Sequence, residues 1–436
     1  MISTILTVVS DLDLTVVREL ESAGSFDVGK ILVGVGALTG VIVLLVVVLM
    51  FCEMKLVKKG KVKLLVNDDP AKSPEVDIGS NLLMALSNQK IFLPSACGGK
   101  GSCAMCKCQV FEGGGDILPS ERTHINRTEA RQGWRLSCQV KVRGPMKVRV
   151  PDAVFGIRKW DCTVISNDNV ATFIKELKVN LPPGEIIHFE SGGYIQIDVP
   201  AYQNLKFKDF DVAERFRGDW DKFKLWDLVT NNPTPIFRAY SMANHPAEGN
   251  MVMLNIRIAT PPPKQMQLNP GICSSYVFSL KKGDKITISG PYGEFHINQT
   301  QREMIYIGGG AGMAPLRSHI FHLFHTEKTK RKVSYWYGAR SKREMFYTEE
   351  FEAIEKQFPN FKYNVALSEP QPEDNWTGFK GFIHQVVFEN YLKTHQNVDE
   401  IEFYLCGPPM MNTAVQKMLG DLGVEKDMIR FDDFGS

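Results

Sequence analysis

The sequence has no excess of charge of either sign, no internal repeat and no long low-complexity segment. Its 51 Lys and Arg residues nearly balance 49 Asp and Glu residues, which leaves a net charge of +2 at pH 7. This balance argues against a nucleic-acid-binding surface and against a disordered, charged tail. With 436 residues, 44% of them hydrophobic, the chain is long enough for two to four domains with separate cores.

Charge is also absent from one long run near the N-terminus. Ile31 to Cys52 are 22 consecutive uncharged residues, and an α-helix of that length spans roughly 33 Å, enough to cross a bilayer. The alternatives are a secretory signal, whose apolar region is shorter, and a buried core helix, which normally carries a polar stripe. The sequence therefore predicts a membrane anchor within residues 1–59, with one helix at about 31–52.

The charges on either side of this run differ in sign. Acidic residues outnumber basic ones before it, whereas five lysines follow it within residues 53–63. The positive-inside rule places the more basic flank in the cytoplasm. The sequence therefore predicts a single-pass protein whose C-terminal domains are cytoplasmic.

Cysteine is sparse outside one glycine-rich loop. Residues 94–108 (PSACGGKGSCAMCKC) hold four of the nine cysteines. Cys97, Cys103 and Cys106 follow a C-x5-C-x2-C spacing, and Cys138 comes later, whereas plant-type 2Fe-2S sites use C-x4-C-x2-C with a distant fourth cysteine. Glycines let such a loop wrap close to inorganic sulfide. The pattern predicts a 2Fe-2S cluster with Cys97, Cys103, Cys106 and Cys138 as its metal ligands.

The alternatives for these cysteines are a zinc site, a disulfide or a different set of cluster ligands. A four-cysteine zinc site usually has two C-x2-C pairs, and Cys138 has no close cysteine neighbour. A disulfide is disfavoured in a cytoplasmic domain. Cys108 is a rival ligand, because only one residue separates it from Cys106.

The pattern over residues 60–150 predicts one domain that contains this loop. We expect a strand at Lys61–Val66, a helix that begins at Ser80 or Asn81 and ends near Asn88, a second helix over about 120–132, and strands at 139–143 and 146–150. This arrangement resembles the β-grasp fold of plant-type ferredoxins. The resemblance implies that the four cysteines above are the cluster ligands.

Residues 155–298 alternate as short strands with little helix, which predicts an antiparallel β-barrel. Arg238-Ala239-Tyr240-Ser241 lies among these strands. It offers a cation for pyrophosphate, an aromatic plane for an isoalloxazine ring and a hydroxyl at the reactive edge of that ring. Alone, this four-residue pattern is weak, because Tyr240 could simply belong to the core.

Three further segments strengthen the interpretation of a flavin site. Asn255 and Arg257 share a strand, Gly271–Tyr276 (GICSSY) joins glycine and hydroxyls to a helix N-terminus, and Gly290–Phe295 forms a turn. In this order they resemble the FAD domain of the ferredoxin–NADP reductase superfamily. The resemblance implies that FAD is held by Arg238, Tyr240, Ser241, Asn255, Arg257, Gly271, Ser274 and Ser275.

One segment exceeds what a minimal flavin barrel needs. Residues 201–233 contain seven aromatic residues among many charges. They are either a helix packed on the barrel or a docking surface for partner subunits.

Residues 299–436 alternate strands and helices, which predicts a parallel sheet with ligands at the carboxyl ends of its strands. An apolar strand at 303–307 runs into GGGAGMAP, which ends in proline where a Rossmann fingerprint has its third glycine. A later strand at 401–405 runs into CGPPMM. The expected nicotinamide-binding residues are Gly308, Gly310, Gly312, Pro315, Gly407 and Pro408.

Two further residues are expected to act near the reacting rings. By resemblance to the same reductases, Cys406 lies beside the nicotinamide and Phe434 covers the flavin face, which completes a catalytic set with Ser241. Cys406 could also be an inert core thiol. The residues do not separate NADH from NADPH, since Arg340, Ser341 and Arg343 could bind a 2′-phosphate; the family favours NADH.

The domain order implies a relay in which NADH reduces FAD and FAD passes single electrons to the cluster. Soluble reductases of bacterial oxygenases share this order. The run at 31–52, the segment 201–233 and the stretches ACGGKGSCAMCKC, RAYSMANHP, GICSSYVF and GGGAGMAPLRSH resemble the F subunits of the Na(+)-translocating NADH:quinone oxidoreductases. That resemblance implies a bacterial inner-membrane complex, partner subunits, and electron transfer toward a quinone such as ubiquinone.

Two other classes of function are alternatives to this one. One is a membrane-tethered reductase or diaphorase that serves a soluble acceptor. The other is a scaffold without catalysis, which would leave the GGGAGMAP and CGPP stretches without a role. No acidic residue lies within 31–52, so this chain alone offers no ion pathway.

Overall fold

The structure, a computed structural model, describes residues 28–56, 60–95, 97–262 and 264–432. Two compact units divide the chain: one contains the first helix, and the other, which begins at Val62 and leaves out 77–79, contains the three domains. The first helix, α1, runs over Val28–Leu56 and covers the predicted 31–52 segment. Residues 1–27 and the candidate Phe434 lie outside the described residues.

Helix α1 presents apolar side chains to its surroundings. Those described between positions 32 and 48 are exposed, from 47% at Val48 to 72% at Val33. Among the residues that the structure describes, no helix combines the length and the apolar character needed to cross a membrane.

The first domain is a five-stranded mixed sheet with short helices. Its strands are ordered β2-β1-β5-β3-β4, with β1 and β5 parallel and β3 antiparallel to both β5 and β4. Helix α2 begins after Asn81, whose side chain accepts the N–H of Met84, and buries Leu82, Leu83 and Leu86. The elements are β1 Lys61–Val66, β2 Glu75–Asp77, α2 Leu82–Asn88, β3 Lys107–Glu112, α3 Arg127–Arg131, β4 Trp134–Leu136 and β5 Met146–Arg149.

Two sequence predictions in this domain are wrong. The helix expected over 120–132 is only α3, because Asn126 caps the chain there and receives the N–H groups of Thr128 and Glu129. The strand expected at 139–143 is a single bridge between Lys141 and Asn81. Val140 and Val142 are buried against the core, and their backbone hydrogen bonds to Leu82 and Ser80 flank this one bridge.

The second domain is the predicted antiparallel barrel, with six strands in the order β11-β8-β13-β6-β7-β12. A bridge from Met242 to Leu254 connects the two outermost strands. The elements are β6 Arg158–Ala171, β7 Ile174–Asn180, β8 Tyr194–Val199, β9 Tyr202–Lys206, α4 Glu214–Lys222, β10 Val229–Asn232, β11 Ile236–Ser241, β12 Met251–Arg257, α5 Ile272–Ser279 and β13 Lys285–Tyr292.

Segment 201–233 forms a small layer on this barrel. It contains the hairpin strands β9 and β10 and the helix α4. Phe216 and Trp220 of α4 are fully buried and join one cluster with Phe278 of α5. The indole of Trp220 also donates to the carbonyl oxygen of Thr172, at 2.9 Å. Most aromatic side chains of the segment therefore pack inward.

The third domain is a parallel sheet in the order β17-β16-β15-β14-β18-β19, as the alternating pattern predicts. Its core includes the fully buried Tyr306, Tyr335 and Tyr404. The elements are β14 Met304–Gly309, α6 Met313–Phe321, β15 Val333–Ala339, α7 Thr348–Gln357, β16 Phe361–Leu367, β17 Phe379–Lys380, α8 Ile383–Asn390, β18 Glu402–Cys406, α9 Pro409–Asp421 and β19 Ile429–Asp432.

Candidate functional site

The four predicted ligand cysteines lie near one another as two pairs. The thiols of Cys97 and Cys103 are 3.4 Å apart, and Cys106 is hydrogen-bonded to Cys138. No group of three or more His, Cys, Asp or Glu side chains in the described part of the chain is arranged to hold a single metal ion. Two pairs suit a 2Fe-2S cluster, because each of its two irons takes two thiolates.

Each pair couples one acidic thiol to one weakly acidic thiol. The hydrogen bond from Cys103 lowers the pKa of Cys97 to about 3, and the bond from Cys138 lowers the pKa of Cys106 to about 7. The donors Cys103 and Cys138 have raised pKa values for the same reason. The thiolate is the form that binds metal, so one member of each pair is already favoured as a ligand.

The rival ligand Cys108 is placed differently. It lies on β3, is fully buried in the apolar core, and burial raises its pKa. Nearby, the segment before Cys138 is held by a buried ion pair in which Arg135 donates to both carboxylate oxygens of Glu121, at 2.7 and 2.9 Å. Glu121 also accepts the N–H of Leu136, at 2.9 Å, which fixes the approach of the chain to Cys138.

The cluster loop lies against the strand that carries the predicted flavin residues. Gly98 adopts a left-handed φ of +63°, and a Cβ placed on it would lie 1.8 Å from Nη1 of Arg238 and 2.3 Å from the carbonyl oxygen of Phe237. Only glycine fits this backbone and this contact. On the same side, Met105 Sδ lies 3.9 Å from the hydroxyl of Tyr194 in β8.

A cleft of about 1050 Å³ lies between the barrel and the parallel sheet. This volume is at the upper end for one small-molecule site and suits a large dinucleotide. The cleft is lined from the barrel side by Arg238–Ser241, Asn255, Arg257 and Gly271–Ser274, and from the sheet side by Gly309–Gly312, Tyr337–Arg340 and Gly407–Met411.

The barrel side of the cleft brings together the groups that a flavin dinucleotide needs. The last four residues of β11 include Arg238, Tyr240 and Ser241, and all three line the cleft. The N-terminus of α5 opens into the same cleft through Gly271 and Ser274. The first N–H groups of a helix have no partner within the helix and attract anions.

Ser241 has an acidic partner from the other domain. Its hydroxyl donates to the carboxylate of Asp432 at the end of β19, at 2.6 Å. The sequence pattern points neither to Asp432 nor to Lys100, a cluster-loop residue that lines the cleft. Both contacts join residues distant in the chain, so no local pattern signals them.

The sheet side of the cleft depends on a close backbone approach. A Cβ on Gly312 would lie 2.1 Å from the carbonyl oxygen of Cys406, so the glycine-rich turn packs directly on the end of β18. The following helix α6 then begins beside the cleft. This is the strand–turn–helix arrangement that binds the pyrophosphate of a dinucleotide.

Four predicted residues do not line the cleft. Ser275 and Pro315 are buried behind it, Gly308 packs against Leu316 and Tyr335, and Cys406 is fully buried at the end of β18. The roles expected of these four residues, like that of Phe434, stay predictions.

Family models match all three domains. Residues 66–143 match a 2Fe-2S iron-sulfur cluster binding domain, residues 227–297 an oxidoreductase FAD-binding domain, and residues 306–417 an oxidoreductase NAD-binding domain. The predicted FAD, NADH and 2Fe-2S cofactors are confirmed at this level.

Two curated relatives match almost end to end. The F subunit of the Na(+)-translocating NADH-quinone reductase of Actinobacillus succinogenes is 55% identical over 402 residues, 92% of this chain and 98% of the relative. The F subunit of Idiomarina loihiensis is 56% identical over 406 residues, which are 93% of this chain and 99% of that relative. The chain belongs to this family of F subunits. The predictions of this family and of an NADH-oxidising electron-input enzyme are thereby confirmed.

Solved structures agree on the fold alone. A cytochrome P450 reductase from Amycolatopsis has a TM-score of 0.58 at 22% identity, and the match covers 86% of this chain and 98% of the reductase. A ferredoxin reductase of carbazole 1,9a-dioxygenase has a TM-score of 0.57 at 24% identity, and the match covers 87% of this chain and 99% of the reductase.

Proposed function

We propose that the chain accepts hydride from NADH in the cleft between barrel and parallel sheet and delivers electrons singly to a 2Fe-2S cluster held by Cys97, Cys103, Cys106 and Cys138. The observation that carries this proposal is the position of the cluster loop, whose Gly98 packs on Arg238 and whose Lys100 lines the cleft. The two cofactor sites therefore share a wall.

The residues of the chain supply binding and orientation. Arg238 and the N-terminus of α5 neutralise pyrophosphate, and the turn at Gly310 and Gly312 receives the second dinucleotide. Asp432 accepts the proton of the Ser241 hydroxyl, so this hydroxyl would offer only its lone pairs to the cleft, where the reactive edge of a bound flavin would lie. FAD, when bound, supplies the exchange of two electrons for single ones.

The first test is anaerobic mixing of the full chain, loaded with FAD and iron, with NADH, followed by EPR spectroscopy. We expect flavin bleaching and a rhombic 2Fe-2S signal. The signal should be lost in Cys138→Ala and kept in Cys108→Ala, which removes the buried core thiol. Flavin bleaching without an EPR signal in the fully loaded wild type would refute the relay, and loss of the signal in Cys108→Ala alone would refute the ligand set.

We further propose that the chain works as one subunit of a membrane-bound quinone reductase complex and that α1 anchors it as a single pass. The support is the uncharged run at 31–52, the exposed apolar side chains of α1 and the names of the relatives. Transfer toward a quinone and coupling to sodium transport are properties of that complex.

Membrane extraction tests this second part. The full chain should stay with membranes after carbonate washing and copurify with partner subunits in detergent, whereas a chain lacking residues 28–56 should be released. A full chain that washes off would refute the anchor. A membrane-bound chain that purifies alone would favour the tethered diaphorase instead.

A further inference from the structure

A tyrosine of the nicotinamide domain reaches into the flavin barrel. Tyr347 stands immediately before α7, in a left-handed conformation with φ of +60°. Its hydroxyl lies 2.5 Å from Oε2 of Glu176 and 2.8 Å from Nδ2 of Asn255. Glu176 and Asn255 are direct partners on the antiparallel strands β7 and β12. One phenol therefore bridges two neighbouring strands of the other domain.

The direction of each hydrogen bond follows from the protons available. Glu176 also accepts from the amine of Lys178, at 2.7 Å, and a carboxylate in such an ion pair can only accept. Tyr347 therefore donates its single proton to Glu176, and its oxygen accepts from the amide of Asn255. Burial, and then the charge of Glu176, raise the pKa of Tyr347 well above its ordinary value, so the phenol keeps this proton.

This chain of bonds fixes the orientation of the Asn255 amide. With Nδ2 turned to Tyr347, Oδ1 points the other way. Asn255 is 5% exposed and lines the cleft, and its Oδ1 is buried without a hydrogen-bond partner among the described residues. A buried polar atom with no partner is costly, so the site is built for a donor that arrives with the ligand.

We propose that Tyr347 and Glu176 are positioning residues that hold the Asn255 amide oxygen toward the flavin, where it accepts from an N–H or O–H group of the dinucleotide. Because Tyr347 belongs to the nicotinamide domain, the flavin site is complete only when both domains are docked. The inference rests on the proposed placement of FAD in this cleft.

The test is the affinity of the flavin-free full chain for FAD, measured by quenching of flavin fluorescence. Tyr347→Phe should weaken FAD binding about tenfold, because the Asn255 amide loses its anchor and its fixed direction. Asn255→Ala should weaken it at least as much. The double variant should bind no more weakly than Asn255→Ala, since both changes remove the same contact.

Tyr306→Phe is the matched control. Tyr306 is a fully buried tyrosine of the same domain whose hydroxyl has no partner among the described residues, so its loss should change FAD affinity less than about twofold. At saturating FAD, Tyr347→Phe should leave the KM for NADH unchanged. A general loss of domain structure would change this KM.

The outcomes are distinct. Unchanged FAD affinity in Tyr347→Phe, or additive losses in the double variant, would overturn the positioning role while the flavin placement stands. Unchanged affinity in both Asn255→Ala and Arg238→Ala would overturn the placement of FAD itself. If Tyr347→Phe does not fold, Glu176→Gln replaces it: an affinity weakened about fivefold supports the link, and an unchanged one overturns it.

Discussion

At the scale of single residues, two contacts shape the candidate cofactor sites, and both join distant parts of the chain. Ser241 is hydrogen-bonded to Asp432, which lies 191 positions later in the chain. Gly98 of the first domain packs against Arg238 of the barrel. The motif residues themselves could be predicted from the sequence, since glycine-rich turns and R-x-Y-S are local patterns. Their partners could not, because only the folded chain brings them together.

Asp432→Asn tests the orientation of the Ser241 hydroxyl. An amide can donate to this hydroxyl as well as accept from it, so the hydroxyl loses its fixed direction. We expect the rate of flavin reduction by NADH, measured by stopped-flow absorbance, to fall about tenfold with FAD affinity unchanged. Ser241→Ala added to Asp432→Asn should cause little further loss. An unaltered rate in Asp432→Asn would contradict this role.

Gly98→Ala tests the shared wall of the two cofactor sites. The new Cβ must displace Arg238. In addition, alanine must adopt the left-handed backbone conformation of Gly98, which alone costs about 1 kcal/mol. We expect weaker FAD binding as well as a lower cluster content per chain. Gly115→Ala is the control, because Gly115 has the same φ of +63° with nothing within 4 Å of its Cβ position. Equal FAD affinity in both variants would contradict the shared wall.

At the scale of elements, the sequence pattern predicts most strands and misses what tertiary contacts decide. The strand at Tyr194–Val199 agrees with the alternation of apolar residues. The valines at 140 and 142 alternate equally well, yet they pack on the core without forming a strand. Likewise, nothing in the local pattern of β7 shows that Lys175 is fully buried, with its amine 5.5 Å from the ring centre of Phe278 in α5.

Lys175→Met should stabilise the chain at neutral pH. Burial lowers the pKa of Lys175 to about 8 from an ordinary 10.5, although Asp211 and Asp168 favour its charge. The charged amine therefore destabilises the fold below pH 8, and this penalty is relieved as the pH rises from 8 to 10.5. We expect a gain of about 1–3 kcal/mol in the free energy of unfolding at pH 7, measured by urea denaturation.

The comparison with an exposed lysine isolates the effect of burial. Lys208→Met changes an exposed side chain of the same region and should leave stability within about 0.5 kcal/mol. The advantage of Lys175→Met should shrink between pH 8 and 10.5. A destabilised Lys175→Met variant at pH 7 would show that its bond to the carbonyl of Asn167, at 3.0 Å, outweighs the burial penalty.

At the scale of the whole molecule, the barrel and the parallel sheet are joined by polar contacts. Arg317 of α6 is 4% exposed and donates to Glu248 of the barrel at 2.7 and 2.9 Å and to the carbonyl oxygen of Ala243. Ser318 donates to the carbonyl oxygen of Asn244, at 2.8 Å. Directional bonds of this kind fix the angle between the domains and would therefore set how a flavin and a nicotinamide stack when both are bound in the cleft.

Glu248→Gln tests this joint through its pH dependence. Burial opposes ionisation of Glu248, but hydrogen bonds from His245 and Arg317 prevail and lower its pKa to about 2 from 4.5. Its contribution is complete above about pH 5 and is lost as the pH falls through 4.5 toward 2. We expect the variant to be less stable by at most about 3 kcal/mol at pH 7, measured by thermal or urea unfolding.

The difference between wild type and Glu248→Gln should then narrow on acidification. Glu349→Gln, a change at an exposed position of α7, should show no such dependence. A difference that stays constant from pH 7 to pH 3 would mean that the carboxylate charge does not hold the joint.

The contact between Gly98 and Arg238 also limits how these domains can be recombined. A ferredoxin domain taken from another reductase will seat on this barrel only if its loop carries glycine at the matching position, or if the arginine is exchanged with it. In sequences of relatives the two positions should vary together. The ferredoxin domain and the barrel of this chain are thus matched at this contact, and a chimaera that ignores it should assemble with a misplaced loop.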